Sequence, residues 1–288
     1  MDNEVVKVNG FDMYLDPEMQ GISSALRKGG REPGFMWMIR QEAKGELGID
    51  VGANIGYTTM PICQQMAKVI AIEPDKRAMQ FLRKNISING FDKKVTIHRF
   101  AVSDHKGKMT LLLHKKHPNL STLHAKKKKY NYREKTISVR TIDGLQVLPN
   151  FIKMDIEGHE VEALDGAMEC LRLTPFCTIL MEVHPQYYDK KHSLANVLEK
   201  LFGIGFNFKY LESAGVAQPD KFKQAGYEPF KTFKDSRYER GLYKNVSKED
   251  AVDFCAFKNK QAFSCVVRGE KVNKITNKIV RSICLVKE

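Results

Sequence analysis

A chain of 288 residues has room for one large α/β domain with an added or inserted element. Its 42% hydrophobic and 28% charged residues are a normal mix for a soluble globular protein, and no apolar run reaches the length a membrane-spanning helix needs. The net charge of +13 points to an anionic partner and is silent about fold. The N-terminus, MDNEVVKVNGFDMYLD, carries acids where a secretion signal carries cations and an apolar run, so a cytoplasmic location is expected. Cys63, Cys170, Cys177, Cys255, Cys265 and Cys284 form no C-x-x-C pair and read as reduced, mostly buried thiols.

From Glu46 onward short apolar runs alternate with helix-period segments. ELGIDV (46–51) reads as a strand, GYTTMPICQQMA (56–67) as a helix, KVIAIEP (68–74) as a strand and DKRAMQFLRKNISING (75–90) as a helix ending on Asn-Gly. KVTIHRFAV (94–102) is a third strand. GKMTLLLH (107–114) and KTISVRTI (135–142) form a hairpin. FIKMDIE (151–157) is a strand, HEVEALDGAMECLR (159–172) one helix, and CTILMEVH (177–184) the fifth main strand. SLANVLEKLFGIG (193–205) is a helix capped by Ser193. FNFKYLE (206–212) and IVRSICLVKE (279–288) complete the strands.

This alternation predicts a mostly parallel seven-stranded sheet with helices on both faces, a Rossmann-like α/β fold. Four segments follow from it: an N-terminal strand and helix segment over 1–45, a core over 46–212, an inserted cap or substrate-binding element over 213–278, and a last core strand over 279–288. The insertion has one clear helix start, Ser247 to Asp250.

Three groups of residues carry chemistry. Asp50-Val-Gly-Ala-Asn-Ile-Gly56 stands where the first strand meets the first helix, with Gly52 and Gly56 free to turn tightly. Asn54 replaces the second glycine of G-x-G-x-x-G and no Walker lysine follows, which counts against NAD and nucleoside triphosphates. A loop carrying acid and amide suits the zwitterionic end of S-adenosylmethionine (SAM). Glu73, 21 residues after Gly52, ends the second strand, where an acid can take both hydroxyls of a ribose. Asp155, Glu157 and His159 then stand at the tip of the fourth strand, and Glu182 and His184 at the tip of the fifth. Such a cluster can deprotonate a hydroxyl or orient it, and Asp155, Glu157 and Glu182 offer oxygen ligands to Mg²⁺. Glu160 and Glu162 read as solvated helix residues.

Between Lys106 and Lys135 lie ten Lys/Arg and one acid, including Lys126 to Lys129. The stretch reads equally as a solvated loop or as a lid that attracts an anionic acceptor.

IDVGANIGYTT, AIEPD, FAVSD and above all IKMDIEGHEVEALDGA resemble the FkbM-type SAM-dependent methyltransferases. LMEVHP, RSICLV and MYLDPEMQGISSALRKGGREP are similar to that family too. The resemblance implies a class I methyltransferase fold and methylation of a hydroxyl on a sugar, polyketide or other small or glycosylated acceptor. It would place Asp50, Gly52, Ala53, Asn54, Gly56 and Glu73 at SAM, Val102 and Ser103 beside the adenine, and Asp155, Glu157 and His159 around the transferring methyl. Two alternatives stay open: a ribose 2′-O-methyltransferase acting on RNA or a cap, favoured by the charge, and a SAM-binding module without catalysis. The fourth strand ends Asp-Ile-Glu-Gly rather than Asp/Asn-Pro-Pro-aromatic, and no Pro-Cys pair exists. Both facts exclude the usual base-methylating chemistries.

Overall fold

The computed structural model describes residues 4–17, 20–114, 121–124, 132–214, 219–235, 238–256, 266–267, 270–271 and 279–288. An antiparallel hairpin, β1 (Val5–Val8) and β2 (Phe11–Tyr14), and two helices, α1 (Gln20–Arg27) and α2 (Pro33–Glu42), precede the first core strand. The alternating part then runs β3 (Leu47–Val51), α3 (Thr59–Gln65), β4 (Lys68–Ile72), α4 (Lys76–Ile88) and β5 (Val95–His98). After β6 (Ala101–Val102), β7 (Gly107–His114) and β8 (Tyr132–Arg140) come β9 (Phe151–Met154), α5 (Glu160–Asp165), α6 (Met168–Leu173), β10 (Cys177–Glu182), α7 (Leu194–Gly203) and β11 (Asn207–Ser213). The remaining elements are α8 (Pro219–Gln224), β12 (Lys231–Asp235), β13 (Tyr238–Tyr243), α9 (Lys248–Ala256), the short pair β14 (Val266–Val267) and β15 (Glu270–Lys271), and β16 (Val280–Lys287).

The main sheet has the order β12-β13-β11-β16-β10-β9-β3-β4-β5. From β10 to β5 every pairing is parallel, and β16 inserts antiparallel between β10 and β11. Seven of these strands are the expected set. The sheet is wider than seven because β12 and β13, from the 213–278 segment, add a hairpin to the free edge of β11. Satisfying that edge with backbone hydrogen bonds is a physical reason for the insertion to join the sheet.

Side chains alternate across the strands. Ile152, Ile179 and Met181 face a core with α5, α6, α7 and α9, while Phe151 and Leu180 face a second core with α1 to α4 and the N-terminal hairpin. Each fully buried aliphatic or Phe side chain of this kind contributes about 1.5–3 kcal/mol. The β7–β8 hairpin forms as expected and, with β6, makes a separate three-stranded sheet with its own small core. The single strand expected over 94–102 therefore divides between two sheets. The helix expected over 159–172 also divides, at Gly166, whose carbonyl accepts from Asp143 N at 2.9 Å and which lies against the Ser103 carbonyl where a Cβ would clash.

Five cysteines, Cys63, Cys170, Cys177, Cys255 and Cys284, are free and buried; Cys265 lies outside the described residues, as do Lys126 to Lys129. Among the described residues no helix is long and apolar enough to cross a membrane.

Candidate active site

The parallel strands β3, β4, β9 and β10 end on one edge, and the loops leaving them build two adjoining cavities. Gly52 adopts φ +78°, and a Cβ on it would fall on the carbonyl oxygen of Asp155. Glycine thus lets the tips of β3 and β9 touch. The amides of Gly52 and Ala53 donate to Ile72 O at 3.0 and 3.1 Å, tying the loop to β4. Asn54 follows in the left-handed region at φ 51°, and its Oδ1 is buried with no hydrogen-bond partner. Glu73 closes the far side. Its Oε2 accepts from Asn54 N and its Oε1 from Asp75 N, each at 2.8 Å. Burial raises its pKa to about 7, against the pull of those two amides.

The first cavity, an open cleft of about 700 Å³, is lined by Gly52, Asn54, Glu73, Val102, Asp155, Glu157 and His159, with Phe100, Ala101 and Leu111 as an apolar wall. The second, about 510 Å³, is lined by Arg31, Glu32, Tyr57, Thr58 and Lys153, and by Ala53. Gly52, Asn54, Asp155 and Glu157 belong to both.

Three residues expected at the cofactor take other places. Asp50 is fully buried beneath the loop: its Oδ2 accepts from Thr58 and Thr59 Oγ1 at 3.0 and 2.7 Å, and its Oδ1 lies 3.1 Å from Lys153 Nζ. Lys153 also donates to Gly52 O at 2.9 Å. Burial opposes the lysine's charge, but Asp50, with Asp155 and Glu32, more than offsets it and raises the pKa. The pair fixes the loop from below. Gly56, at φ +96°, packs towards Leu82 and donates to Ala53 O, so it shapes the turn and lines neither cavity. Ser103 is buried with its Oγ 3.0 Å from His159 Nε2, rather than flanking a cleft.

The strand tips do gather acids and imidazoles. Glu157 takes φ 54° and turns its partly exposed carboxylate between the cavities, with Oε2 3.9 Å from His184 Nε2. Asp155 stands beside it; burial, with the Glu182 charge behind it, raises its pKa. His184 is buried, with Nδ1 2.9 Å from Glu160 Oε1 and Nε2 3.5 Å from Glu182 Oε1. Glu182 Oε2 in turn meets Arg281 Nη2 at 3.2 Å. His184 and Glu182 therefore sit behind the lining.

His159 behaves differently from a poised base. Its ring nitrogens face Ser103 Oγ and, at 3.3 Å, Glu162 Oε1, and burial together with His124 lowers its pKa to about 4. Asp155, Glu157 and His184 offer ligand atoms all within 4.8 Å of one another. This set differs from the Asp155, Glu157, Glu182 trio, because Glu182 turns to Arg281 and an imidazole takes its place. Mg²⁺ prefers an all-oxygen set.

Glu160 and Glu162 are buried, not solvated. Glu160 Oε1 accepts from Gly158 N at 3.1 Å and His184 Nδ1, and its Oε2 from Tyr188 Oη at 2.9 Å. Burial opposes its charge, but His184 and these donors outweigh it and lower the pKa. Sequence reasoning missed this role because Glu160 opens a helix, the position where acids are favoured at the surface too.

A Rossmann-like sheet with a glycine loop after its first strand, an acid after its second and this strand-tip cluster is the class I methyltransferase architecture. The model described as the methyltransferase FkbM domain matches residues 50–211, and the chain belongs to that family of methyltransferases. It is 29% identical over 142 residues to the hexuronic acid methyltransferase AglP of Haloferax volcanii, a stretch covering 47% of this chain and 54% of that protein. It is also 39% identical over 49 residues to the mitochondrial ribosomal RNA small subunit methyltransferase of Arabidopsis thaliana, 17% of this chain and 13% of that one. The chain thus spans about half or less of these relatives. Among solved structures, the FkbM methyltransferase of Methylobacillus flagellatus KT aligns at 19% identity and a TM-score of 0.43, over 70% of this chain and 44% of that one.

Proposed function

We propose that the protein transfers a methyl group from SAM to a hydroxyl of a sugar, glycan or similar small acceptor. The observation that carries this reading is the junction at Asp155 and Glu157, where a ribose-type cleft and a polar cavity meet at a carboxylate-rich strand tip. The residues suit the cofactor. Glu73 keeps one further lone pair on each oxygen for the two ribose hydroxyls, Val102 and Phe100 offer an apolar wall to the adenine, and the unpaired Asn54 Oδ1 suits an ammonium or hydroxyl donor. When bound, SAM supplies an activated methyl on a sulfonium.

The chain's own part is to place the acceptor and receive its proton. Glu157 is the group we assign to that proton, since it reaches the cavities from a left-handed turn and has His184 behind it. Glu160 holds His184 through Nδ1, a bond to a carboxylate acceptor that places a proton on that nitrogen. Asp155 orients the cofactor or the acceptor. His159, neutral and engaged with Ser103, serves as a wall. No metal is needed for a displacement whose leaving group is a neutral thioether. The similarity to a hexuronic acid methyltransferase supports a sugar acceptor, and the charge of +13 supports an anionic one.

One observation favours ribose methylation of RNA as a second reading. An open groove beside Asp75 is lined by Lys76, Arg83, Lys84, Arg133 and Lys135, and backbone phosphates are drawn to such surfaces. Incubation with methyl-labelled SAM over uronic acid glycosides, neutral sugars and capped RNA tests both. Label in the glycosides supports the first reading, and label in RNA alone replaces it with the second.

A further inference from the structure

The N-terminal segment brings a guanidinium into the second cavity, outside the residues that the family model matches. Arg31 and Lys153 are the two cations lining that cavity, with Glu32, Asp155 and Glu157 as its carboxylates. Lys153 is committed: its Nζ holds Asp50 Oδ1 at 3.1 Å and the carbonyls of Gly52 and Val51 at 2.9 and 3.3 Å. Arg31 is not held in this way. Its Nη2 meets Glu32 Oε1, and that same oxygen takes Arg281 Nη2 at 2.5 Å, so two guanidinium groups share one carboxylate oxygen.

Arg31 is also fixed to the glycine loop through its backbone. Tyr57 Oη accepts from Arg31 N at 3.0 Å and donates to Arg31 O at 2.8 Å, and Tyr57 follows Gly56 directly. Asn9 Nδ2 donates to the same hydroxyl at 3.0 Å. Gly30, at φ +118°, lets the segment lie this close, because a Cβ there would stand 2.7 Å from Tyr57 Oη. The tyrosine hydroxyl therefore ties the arginine's backbone to the loop, and Arg31 lines the cavity.

We propose that Arg31 is the counter-ion for the carboxylate of the cofactor's amino-acid end, with Asn54 and Asp155 receiving its ammonium. The inference rests on the SAM reading and adds a residue to it. A zwitterion laid between one guanidinium and several acids matches charge for charge. A guanidinium is suited to the task because its fork of donors fits a carboxylate.

The test compares two ligands by calorimetry on the full chain. S-adenosylhomocysteine carries the amino-acid end; 5′-methylthioadenosine carries the same nucleoside and thioether without it. Arg31→Ala weakens S-adenosylhomocysteine about 10- to 100-fold, the value of a charge-assisted hydrogen bond, and leaves methylthioadenosine unchanged. Arg31→Gln, which keeps the stem and a donor towards Glu32, gives the same split if the alanine variant folds poorly. Equal weakening of both ligands, or of neither, in a variant that melts like the parent overturns the assignment. Glu73→Ala keeps the two readings apart, because it weakens both ligands where SAM binds. A parent protein that binds neither ligand removes the cofactor reading and this one with it.

Discussion

Glu73 makes the proposed cofactor site titrate where few carboxylates do. Its pKa stands near 7 because burial outweighs the two amide hydrogen bonds. A ribose diol donates to the ionised carboxylate, so binding favours the deprotonated form and releases the proton that the free protein holds. Affinity for S-adenosylhomocysteine should therefore rise about tenfold per pH unit below 7 and level off above it. At pH 5 about one Glu73 in a hundred is ionised, which sets a loss of up to about 100-fold, or about 2.7 kcal/mol. The same shift acts on folding with the opposite sense. A carboxyl whose pKa is raised on folding contributes stability below the unfolded value of about 4.5, and that contribution is lost as the pH climbs through 7. Calorimetric titrations from pH 5 to 8 measure the first effect. Glu73→Gln should abolish the slope and hold the affinity near its low-pH level. A flat response in the parent, or an unchanged slope in the variant, would refute the reasoning.

Glu157→Gln should slow methyl transfer by about 100- to 10,000-fold with S-adenosylhomocysteine binding nearly intact, as read by single-turnover assays; unchanged turnover would move the proton to another group. His159, with its pKa lowered to about 4, costs stability as the pH falls from its unfolded value near 6.5, by up to about 3 kcal/mol. Replacing it with Asn should flatten the melting temperature over that range, and an unaltered profile would count against a buried neutral ring. Lys153→Met leaves Asp50 buried without its cation and should cost about 3–5 kcal/mol by denaturant melts. Triple replacement of Lys84, Arg133 and Lys135 by Ser should raise KM for an anionic acceptor at low salt and leave kcat little changed, since their field acts on encounter. Equal KM in both proteins would make the groove a solvated surface.

The parallel part of the fold was legible because strands buried on both faces carry a continuous apolar signal, as VIAI and TILMEV do. Gly52, Asn54 and Glu73 could be placed at one cleft because they lie within one strand-loop-helix unit, where a count along the chain suffices. What was hidden depends on contacts between distant segments. Nothing local to Asp50 announces Lys153, which lies 103 residues on and reaches back under the loop. Ser103, expected beside the adenine, is covered because Gly166 brings the α5–α6 junction against it. Arg31 stands in a short glycine-rich connection, and its place depends on Tyr57 across the cavity. The edge hairpin of β12 and β13 escaped for a similar reason, since Lys231-Thr-Phe-Lys-Asp235 carries too little apolar character to declare a strand before β11 offers its edge.

The most direct test of the account follows the methyl group itself. SAM carrying a ¹³C-labelled methyl is incubated with the protein and a uronic acid glycoside, and the product is read by carbon–proton correlation spectroscopy. The account predicts a single new methoxy signal, with the label on a sugar hydroxyl oxygen, in the parent and its near-disappearance in Glu157→Gln. A label on nitrogen, carbon or a carboxylate oxygen, or a signal of equal strength in the variant, would contradict hydroxyl methylation at this strand tip.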